Sequence, residues 1–326
     1  MNNVLNKSIR EDIFEAITSI WGLNILDFTI VDLRYMNLKW ILKTDHGDFF
    51  AKQYNKSRYP EHMVEGLEIS LNHQNTLYNS GIPCPELYTH NGKYVIKSTN
   101  DERFVLMKFC EGHNLKAGTA NEQQMFHLGQ IIGKMHMILN SNNRINIPLH
   151  WDVRTKESMF ENWKERWNEA IRIDCQSTLS TLDTQRKIIE KNDVHIFSDC
   201  EIGWSHWDLF ADNILFKNNL VSAILDFDRI NYVYREFDIS RPLLSFCIEN
   251  GKIHLGCVAA FVKGYREFQP LSNQKLVRSF KLTWWKEAEW VSVKMQNSAV
   301  IKRFNEENVW VGDHWDHLED IFAILD

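Results

Sequence analysis

The residues best suited to chemistry lie close together in the second half of the chain. The segment HWDLFADN has the pattern H-x-D-x-x-x-x-N and contains Asp208 and Asn213, and the later segment ILDFD contains Asp226. One carboxylate can orient a hydroxyl group and accept its proton, while an amide oxygen and a second carboxylate hold magnesium on phosphates. The pattern therefore predicts Asp208 as the catalytic base of a phosphoryl transfer, with Asn213 and Asp226 as metal ligands.

The loop pattern is not specific by itself, because a surface loop with a capping Asp contains the same residue types. Its place in the chain adds information. Lys52 lies in a predicted strand, a helix with glutamates follows, an apolar connector ends in Glu111 and Gly112, and the loop and the DFD segment come afterwards. This is the order that a two-lobed kinase requires, so it favours a kinase over a chance arrangement.

The elements that must position these residues can be predicted from the spacing of apolar side chains. In the first part of the chain they predict helix and strand in alternation, with Gly47 supplying the positive φ of a tight hairpin turn. The predicted elements there are a helix over 8–20, two strands within 38–54, a helix over 61–79, and strands near 94–96 and 104–109.

Beyond Gly112 the apolar pattern becomes mainly helical. The sequence therefore predicts an α+β, bilobal fold of the protein-kinase type, with a small antiparallel-sheet lobe and a larger, mainly helical lobe. Three regions are predicted: a nucleotide-binding N-lobe over 1–107, a hinge over 108–112, and a C-lobe over 113–326 for catalysis and acceptor binding.

Composition excludes several classes of protein. The 37 Lys and Arg against 43 Asp and Glu give a net charge of -6, which argues against nucleic acid or an anionic membrane as a partner. No stretch approaches the roughly 18 apolar residues of a membrane span, and the first residues lack a signal-peptide core. The six cysteines form no C-x-x-C pair, so a cytoplasmic protein with reduced thiols is expected.

The chain resembles the aminoglycoside phosphotransferase superfamily of small-molecule kinases, which includes homoserine kinase, choline kinase and spore-coat kinase-like members. The resemblance is carried by HWDLFADNILF and ILDFD, and DLFADN is similar to the loop of the homoserine kinase branch. It implies ATP and Mg²⁺ as cofactors, Asp208 as the base, and Asn213 and Asp226 as magnesium ligands. Asp228 matches a second acidic residue beside the metal.

The resemblance also implies nucleotide-binding residues in the N-lobe. Lys52 resembles the strand lysine that binds the α and β phosphates, although an edge-strand lysine in solvent is the alternative. Its partner should be a glutamate of the following helix. Glu65 and Glu68 are both candidates, and Glu68 is preferred because it lies nearer the apolar stripe at Leu71.

The connector LMKFCEG is similar to the adenine-binding hinge of the family. Met107 would be the gatekeeper, and backbone groups of Lys108 and Cys110 would hydrogen-bond the adenine edge; an ordinary strand and turn is the alternative. The phosphate loop RYMNLKW contains no glycine. Asn37, three residues before the aromatic Trp40, is nevertheless typical of the small-molecule branch.

Three further features carry weaker signals. Asp238 matches an Asp that braces the catalytic loop through backbone hydrogen bonds. The run WWKEAEW at 284–290 predicts either core Trp with exposed Glu or an aromatic and acidic wall for a cationic amine. The run DHWDH at 313–317 predicts a helix N-terminus with solvated side chains, with a metal site as the weaker alternative.

Together these features predict ATP-dependent transfer of phosphate to a hydroxyl of a small molecule. The candidate acceptors are an amino alcohol such as homoserine, an aminoglycoside-type antibiotic or another aminated metabolite, and a cationic acceptor would suit the wall at 284–290. The alternative function is a catalytically silent scaffold of the spore-coat type, which the glycine-free phosphate loop favours. The sequence names neither the acceptor nor an oligomeric state.

Overall fold

The structure is a computed structural model that describes residues 2–31, 36–141, 147–293 and 299–325. Contacts between residues divide the chain into two compact units, which consist of residues 1–112 with 222–228 and of residues 113–221 with 229–326. The sequence prediction places 222–228 in the C-lobe, whereas the contacts group this short segment with the first unit. Within the first unit, the backbone nitrogen of Ile224 donates to the Pro83 carbonyl oxygen at 2.8 Å.

The first unit contains two helices and an antiparallel sheet. The helices are α1 (Asn2–Trp21) and α2 (Val64–Asn79), and the strands are β1 (Ile25–Ile30), β2 (Lys39–Thr44), β3 (Gly47–Tyr54), β4 (Leu87–Tyr88), β5 (Ile96–Lys97) and β6 (Arg103–Lys108). The strand order is β1-β2-β3-β6-β4, and β5 also pairs with β6.

The predicted hairpin and leading helix of this unit are confirmed. Gly47 adopts φ 97° where β2 turns into β3, a conformation that costs glycine little. Ile13 and Ile17 of α1 are fully buried in one cluster with Trp40 and Phe49 of the sheet. Burial of this apolar face stabilises both the helix and the central strand β3.

The second unit is mainly helical. Its helices are α3 (Glu122–Leu139), α4 (Lys156–Arg172), α5 (Gln176–Lys191), α6 (Glu236–Cys247), α7 (Leu255–Arg266), α8 (Asn273–Glu287), α9 (Ala299–Asp313) and α10 (Leu318–Phe322). The remaining strands are β7 (Ile202–Ser205), β8 (Ile214–Lys217), β9 (Leu220–Ile224), β10 (Asn231–Tyr234), β11 (Ile248–Glu249) and β12 (Lys252–Ile253). They form three two-stranded sheets, β7 with β10, β8 with β9 and β11 with β12.

Helices α3 and α7 pack unusually closely. A Cβ atom built on Gly129 would lie 2.1 Å from the Phe261 carbonyl oxygen, and one on Gly264 would lie 2.0 Å from the Phe126 carbonyl oxygen. Only glycine fits at both positions. This contact fixes α3, from which His136 contacts Asp238 of α6.

The fold is α+β, as the sequence predicts, with an antiparallel sheet in the first unit and a mainly helical second unit. In the part of the chain that the structure describes, no helix combines the length and the apolar character needed to cross a membrane.

Candidate active site

The first group of predicted site residues lies in the first unit, around the ammonium group of Lys52. Lys52 Nζ lies 2.6 Å from Asp226 Oδ1 and 2.5 Å from Asp228 Oδ2. Burial by itself lowers the pKa of Lys52, but the two carboxylates outweigh it and raise that pKa above its usual value. Lys52 therefore remains a cation, paired with two carboxylates.

Backbone structure places these three side chains. Lys52 lies in β3 between β2 and β6, opposite Val105 of β6. Asp226 follows β9 with φ 60°, a left-handed conformation that is costly for a residue with a side chain and that recurs at functional sites. The Asp226 side chain is 30% exposed, whereas that of Asp228 is only 6% exposed.

The two carboxylates differ in their partners. Asp228 also accepts a hydrogen bond from Tyr54 Oη at 2.9 Å and lies 3.5 Å from Tyr59 Oη. The two tyrosine hydroxyl groups hold the Asp228 carboxylate in place, and this carboxylate in turn orients Lys52. Asp226 is the more accessible carboxylate, which makes it the better candidate for contact with a metal.

Glu68 does not pair with Lys52, contrary to the sequence prediction. Its carboxylate accepts hydrogen bonds from the backbone nitrogens of Tyr94 and Val95, at 3.2 and 2.8 Å. Glu65, the other candidate, is exposed. Two backbone donors beside α2 satisfy Glu68 locally, and the counter-charge for Lys52 comes instead from carboxylates 174 and 176 residues away.

A second lysine near this group was not among the predicted site residues. Lys39 of β2 is the cross-strand partner of Lys52. Burial lowers the pKa of Lys39, and the charge of Lys52 lowers it further. A lysine opposite Lys52 in the predicted hairpin was the available signal, because directly opposed residues in a strand pair lie within roughly 5.5 Å of each other.

The predicted hinge residues lie at the end of β6 and just beyond it. Met107, Lys108 and Cys110 are half-buried, and burial raises the pKa of the Cys110 thiol. The backbone nitrogen of Lys108 donates to the Glu86 carbonyl oxygen at 2.9 Å. Of the Lys108 backbone groups, the carbonyl oxygen is therefore the one suited to accept from an adenine amine.

Asn37 lies at the end of the phosphate loop and is buried. Its Oδ1 accepts a hydrogen bond from the backbone nitrogen of Asn55 at 3.1 Å, so it ties the loop to the end of β3. Positions 32–35, which include the first two residues of the predicted phosphate loop, lie outside the described residues.

The second group lies in the second unit, in the loop after β7. Asn213 Nδ2 donates to the carbonyl oxygen of Asp208 at 2.8 Å and to its carboxylate Oδ2 at 3.2 Å. Arg229 Nη1 lies 3.4 Å from Asp208 Oδ1. Because its amide nitrogen is directed at Asp208, Asn213 would bind a metal through its Oδ1 atom.

Asp238 braces this loop, as the sequence predicts. Its two carboxylate oxygens accept hydrogen bonds from the backbone nitrogens of His206 and Trp207, at 2.6 and 2.8 Å. His136 Nε2 lies 3.2 Å from Asp238, and its Nδ1 lies 2.8 Å from Tyr265 Oη. This prediction is confirmed, and the brace itself is anchored to two helices.

Trp207 is held in a left-handed conformation with φ 61°. Such a backbone is uncommon for a bulky residue. The Trp207 nitrogen bond to Asp238 holds it there, and the ring packs edge-on against His150 at 5.1 Å. Contacts of the Trp207 backbone and of its ring thus offset the cost of this conformation, which lies immediately before Asp208.

The run at 284–290 is only partly the wall that the sequence suggests. Trp284 and Trp285 are buried core residues. Glu287 forms an ion pair with the buried Arg241, and Glu289 forms one with Arg154. Both carboxylates are thus already neutralised by arginines.

The run at 313–317 connects the C-terminus of α9 to the N-terminus of α10, whose N-cap is His317. Asp313, Asp316 and His317 are exposed, as the sequence predicts, whereas Trp315 is buried. Asp313 lines a cavity of about 380 Å³ between helices of the second unit, and Asp208 is not among its lining residues. His314 Nδ1 lies 2.7 Å from the Trp310 carbonyl oxygen.

Comparison with known proteins shows the family to which the chain belongs. The model of the phosphotransferase enzyme family matches residues 27–271. The chain is 24% identical over 259 residues to the homoserine kinase of Methylobacillus glycogenes, covering 77% of this chain and 74% of that protein. It is 24% identical over 251 residues to the homoserine kinase of Mesorhizobium japonicum, covering 73% and 71%.

Solved structures share the fold. A microcompartment-associated aminopropanol kinase has a TM-score of 0.62 at 15% identity and covers 94% of this chain and 98% of its own. The choline kinase of Streptococcus pneumoniae has a TM-score of 0.59 at 14% identity, with 94% and 99% coverage. Spectinomycin phosphotransferase in complex with ADP and spectinomycin has a TM-score of 0.57 at 16% identity, with 93% and 96% coverage.

The fold and the family match define the class of protein. The chain belongs to the phosphotransferase enzyme family. It is a small-molecule phosphotransferase with a kinase-like fold.

Proposed function

We propose that this chain transfers the γ-phosphate of ATP to a hydroxyl group of a small molecule. The observation that carries the proposal is the Asp208 carboxylate, which Asn213 and Arg229 contact in a loop braced by Asp238. A carboxylate positioned in this way can accept a proton from a hydroxyl group.

Asp208 is the proposed base. The acceptor oxygen forms a bond to the γ-phosphorus, the bond between that phosphorus and the bridging oxygen of the β-phosphate breaks, and ADP leaves. The hydroxyl proton passes to Asp208. Positioning of the hydroxyl supplies most of what the protein contributes, because phosphoryl transfer needs little covalent participation by side chains.

The group around Lys52 is the proposed site for the phosphates and the metal. Two carboxylates share one close cation there, so the residues fit a divalent cation by charge and by the oxygen donors that magnesium prefers. Asp226 would hold the ion, a role that the family resemblance also implies for Asn213, and Lys52 would bind the phosphates. Asp228 would keep Lys52 oriented. Bound magnesium would neutralise charge on the phosphate oxygens.

The proposed adenine-binding groups are the carbonyl oxygen of Lys108 and the backbone nitrogen of Cys110, with Met107 as gatekeeper. Asn37, through its bond to Asn55, would fix the end of the loop over the phosphates. The pairing of Lys52 with Glu68 forms no part of the proposal, because Glu68 is bound elsewhere.

The proposed acceptor is a small compound that carries both a hydroxyl group and an amine. The supporting observation is that the similar proteins are named as kinases of homoserine, aminopropanol and choline. These compounds all contain a hydroxyl group and a nitrogen.

The test has two steps. Thermal unfolding is measured with ATP, with Mg²⁺ and with both, and stabilisation that needs both ligands is expected. ATP consumption is then measured against a panel of amino alcohols, hydroxy amino acids and aminoglycosides, and at least one acceptor should accelerate it. Nucleotide-dependent stabilisation without turnover on any acceptor would instead favour the silent scaffold, for which the glycine-free phosphate loop is the supporting feature.

A further inference from the structure

Lys286, near the end of α8, lies on an aromatic surface beside the proposed base. Its Nζ atom lies 4.9 Å from the ring centroid of Trp207, 4.8 Å from that of Phe237 and 5.9 Å from that of Trp290. Trp207 directly precedes Asp208 in the chain. The ammonium group is thus held by three rings next to the residue that would activate the acceptor.

The two carboxylates nearest to Lys286 form ion pairs with arginines. Glu287 pairs with Arg241, and Asp208 pairs with Arg229. Within the ranges that the structure describes, Lys286 has ring contacts but no ion pair or hydrogen bond of its own. A cation on rings, without an ion pair of its own, can still accept an anionic partner.

The electrostatic surroundings of Lys286 also favour an anionic partner. Burial lowers the pKa of Lys286, while Glu287 and Asp208 act in the opposite direction. A half-buried ammonium group has lost part of its hydration, and the rings replace only some of it. An anion brought to this position would restore the lost stabilisation in a charge-assisted hydrogen bond.

We propose that Lys286 binds a carboxylate group of the acceptor while the acceptor hydroxyl lies at Asp208, a role that rests on the function proposed above. The aromatic surface that could have enclosed a cationic amine already contains the protein's own cation. An amine of the acceptor would meet like charge there. The preferred acceptor is therefore a hydroxy amino acid, with its amine directed away from Lys286, and not a simple amino alcohol.

The first test compares acceptors that differ only in the carboxylate. The probes are three matched pairs: homoserine with 3-aminopropan-1-ol, serine with ethanolamine, and threonine with 1-aminopropan-2-ol. Acceptor-dependent ATP consumption is measured with the full chain. In the pair that is turned over best, kcat/KM should be about tenfold or more higher for the carboxylated member, since a hydrogen bond between charged groups contributes about 1.5 to 3 kcal/mol.

The second test uses variants of Lys286 and a matched lysine. Lys286→Met should reduce the kcat/KM ratio of the best pair by about tenfold or more, mainly through KM, and Lys286→Arg should retain most of it. Lys281→Met is the control, because Lys281 lies on the same helix with its Nζ 5.4 Å from the ring of Trp315. The control should keep the wild-type ratio.

The outcomes separate the two claims. If the wild-type protein turns over a decarboxylated member as well as its partner, or if Lys286→Met leaves the ratio unchanged, the role of Lys286 is overturned and the phosphotransfer stands. If none of the six probes, and no other hydroxyl compound of the acceptor panel, accelerates ATP consumption, the proposed function is overturned and the role of Lys286 with it.

Discussion

The two groups of proposed site residues are held in place in opposite ways. In the first unit, Lys52 is positioned by two carboxylates, so charges fix one another. In the second unit, Asp208 lies in a loop whose backbone is fixed by Asp238. One group depends on ion pairs and the other on hydrogen bonds to the main chain.

The difference matches what each group has to do. A side chain that binds phosphates or a metal must exchange partners when ligands arrive, and an ion pair within the protein can be replaced by one to the ligand. A base must stay where the hydroxyl will be, because a displacement of about 1 Å can cost about a hundredfold in rate. Exchangeable partners suit Lys52 and Asp226, and a fixed backbone suits Asp208.

The largest effect is expected at Asp208. Asp208→Ala should lower acceptor-dependent ATP turnover by about 10² to 10⁴-fold, the usual contribution of a general base, and should leave ATP affinity nearly intact. Turnover and nucleotide binding are measured in parallel. Asp199→Ala, which removes an exposed carboxylate, is the control. Wild-type turnover in the Asp208 variant would contradict the assignment of the base.

Asp226→Ala should affect the other group. Because Asp226 would hold the ion that neutralises the phosphates, the variant should lose the magnesium dependence of ATP binding as well as turnover. The check is ATP affinity measured across a magnesium titration. A titration identical to that of the wild-type protein would show that Asp226 does not hold the ion.

Lys52→Met tests whether charges alone hold the first group together. Loss of the cation leaves two close carboxylates, and the protein should be destabilised by about 3 kcal/mol, as when one partner of a buried ion pair is removed. Magnesium should then raise the melting temperature of the variant more than that of the wild-type protein. Lys43→Met, at an exposed position of β2, is the control. Equal magnesium effects on the wild-type protein and on both variants would show that charges do not hold the group around Lys52 together.

Asp238→Asn tests the hydrogen-bonded group. One carboxylate oxygen becomes an amide that cannot accept, so either His206 or Trp207 loses its backbone partner. A loss of about 1 to 3 kcal/mol of stability is expected, with lower kcat and an unchanged magnesium titration. Denaturant unfolding and steady-state kinetics measure both. A changed magnesium response with unchanged kcat would show that Asp238 acts on the group around Lys52 and not on the loop of Asp208.

The smallest effect concerns pH. Burial lowers the pKa of His136 although Asp238 opposes this, so the folded protein keeps the ring neutral while the unfolded chain binds a proton near pH 6.5. The unfolded state therefore binds more protons below that pH, and stability should fall as the pH decreases from about 7 to 5. His136→Gln should show a shallower decrease of melting temperature. Parallel pH profiles would contradict the neutral state of His136.

Local patterns in the sequence were sufficient for a large part of the fold. The hairpin at Gly47, the leading helix and the apolar face of α3 follow from turn chemistry and periodicity, which act over a few residues. The loop with Asp208 and Asn213 could be recognised for the same reason, because only four residues lie between them and one loop brings them together. The brace by Asp238 followed from family resemblance and is confirmed.

The fold class, the order of the elements and the residue types of the loop follow from the amino-acid sequence, because these depend on spacing within short segments. Which charges meet depends on tertiary packing. It gave Lys52 two carboxylates from far along the chain in place of Glu68, and it brought Lys286 of α8 beside the loop of Asp208. Ion pairs and ring contacts depend on distances in space between remote segments, and no local pattern of the sequence specifies those distances.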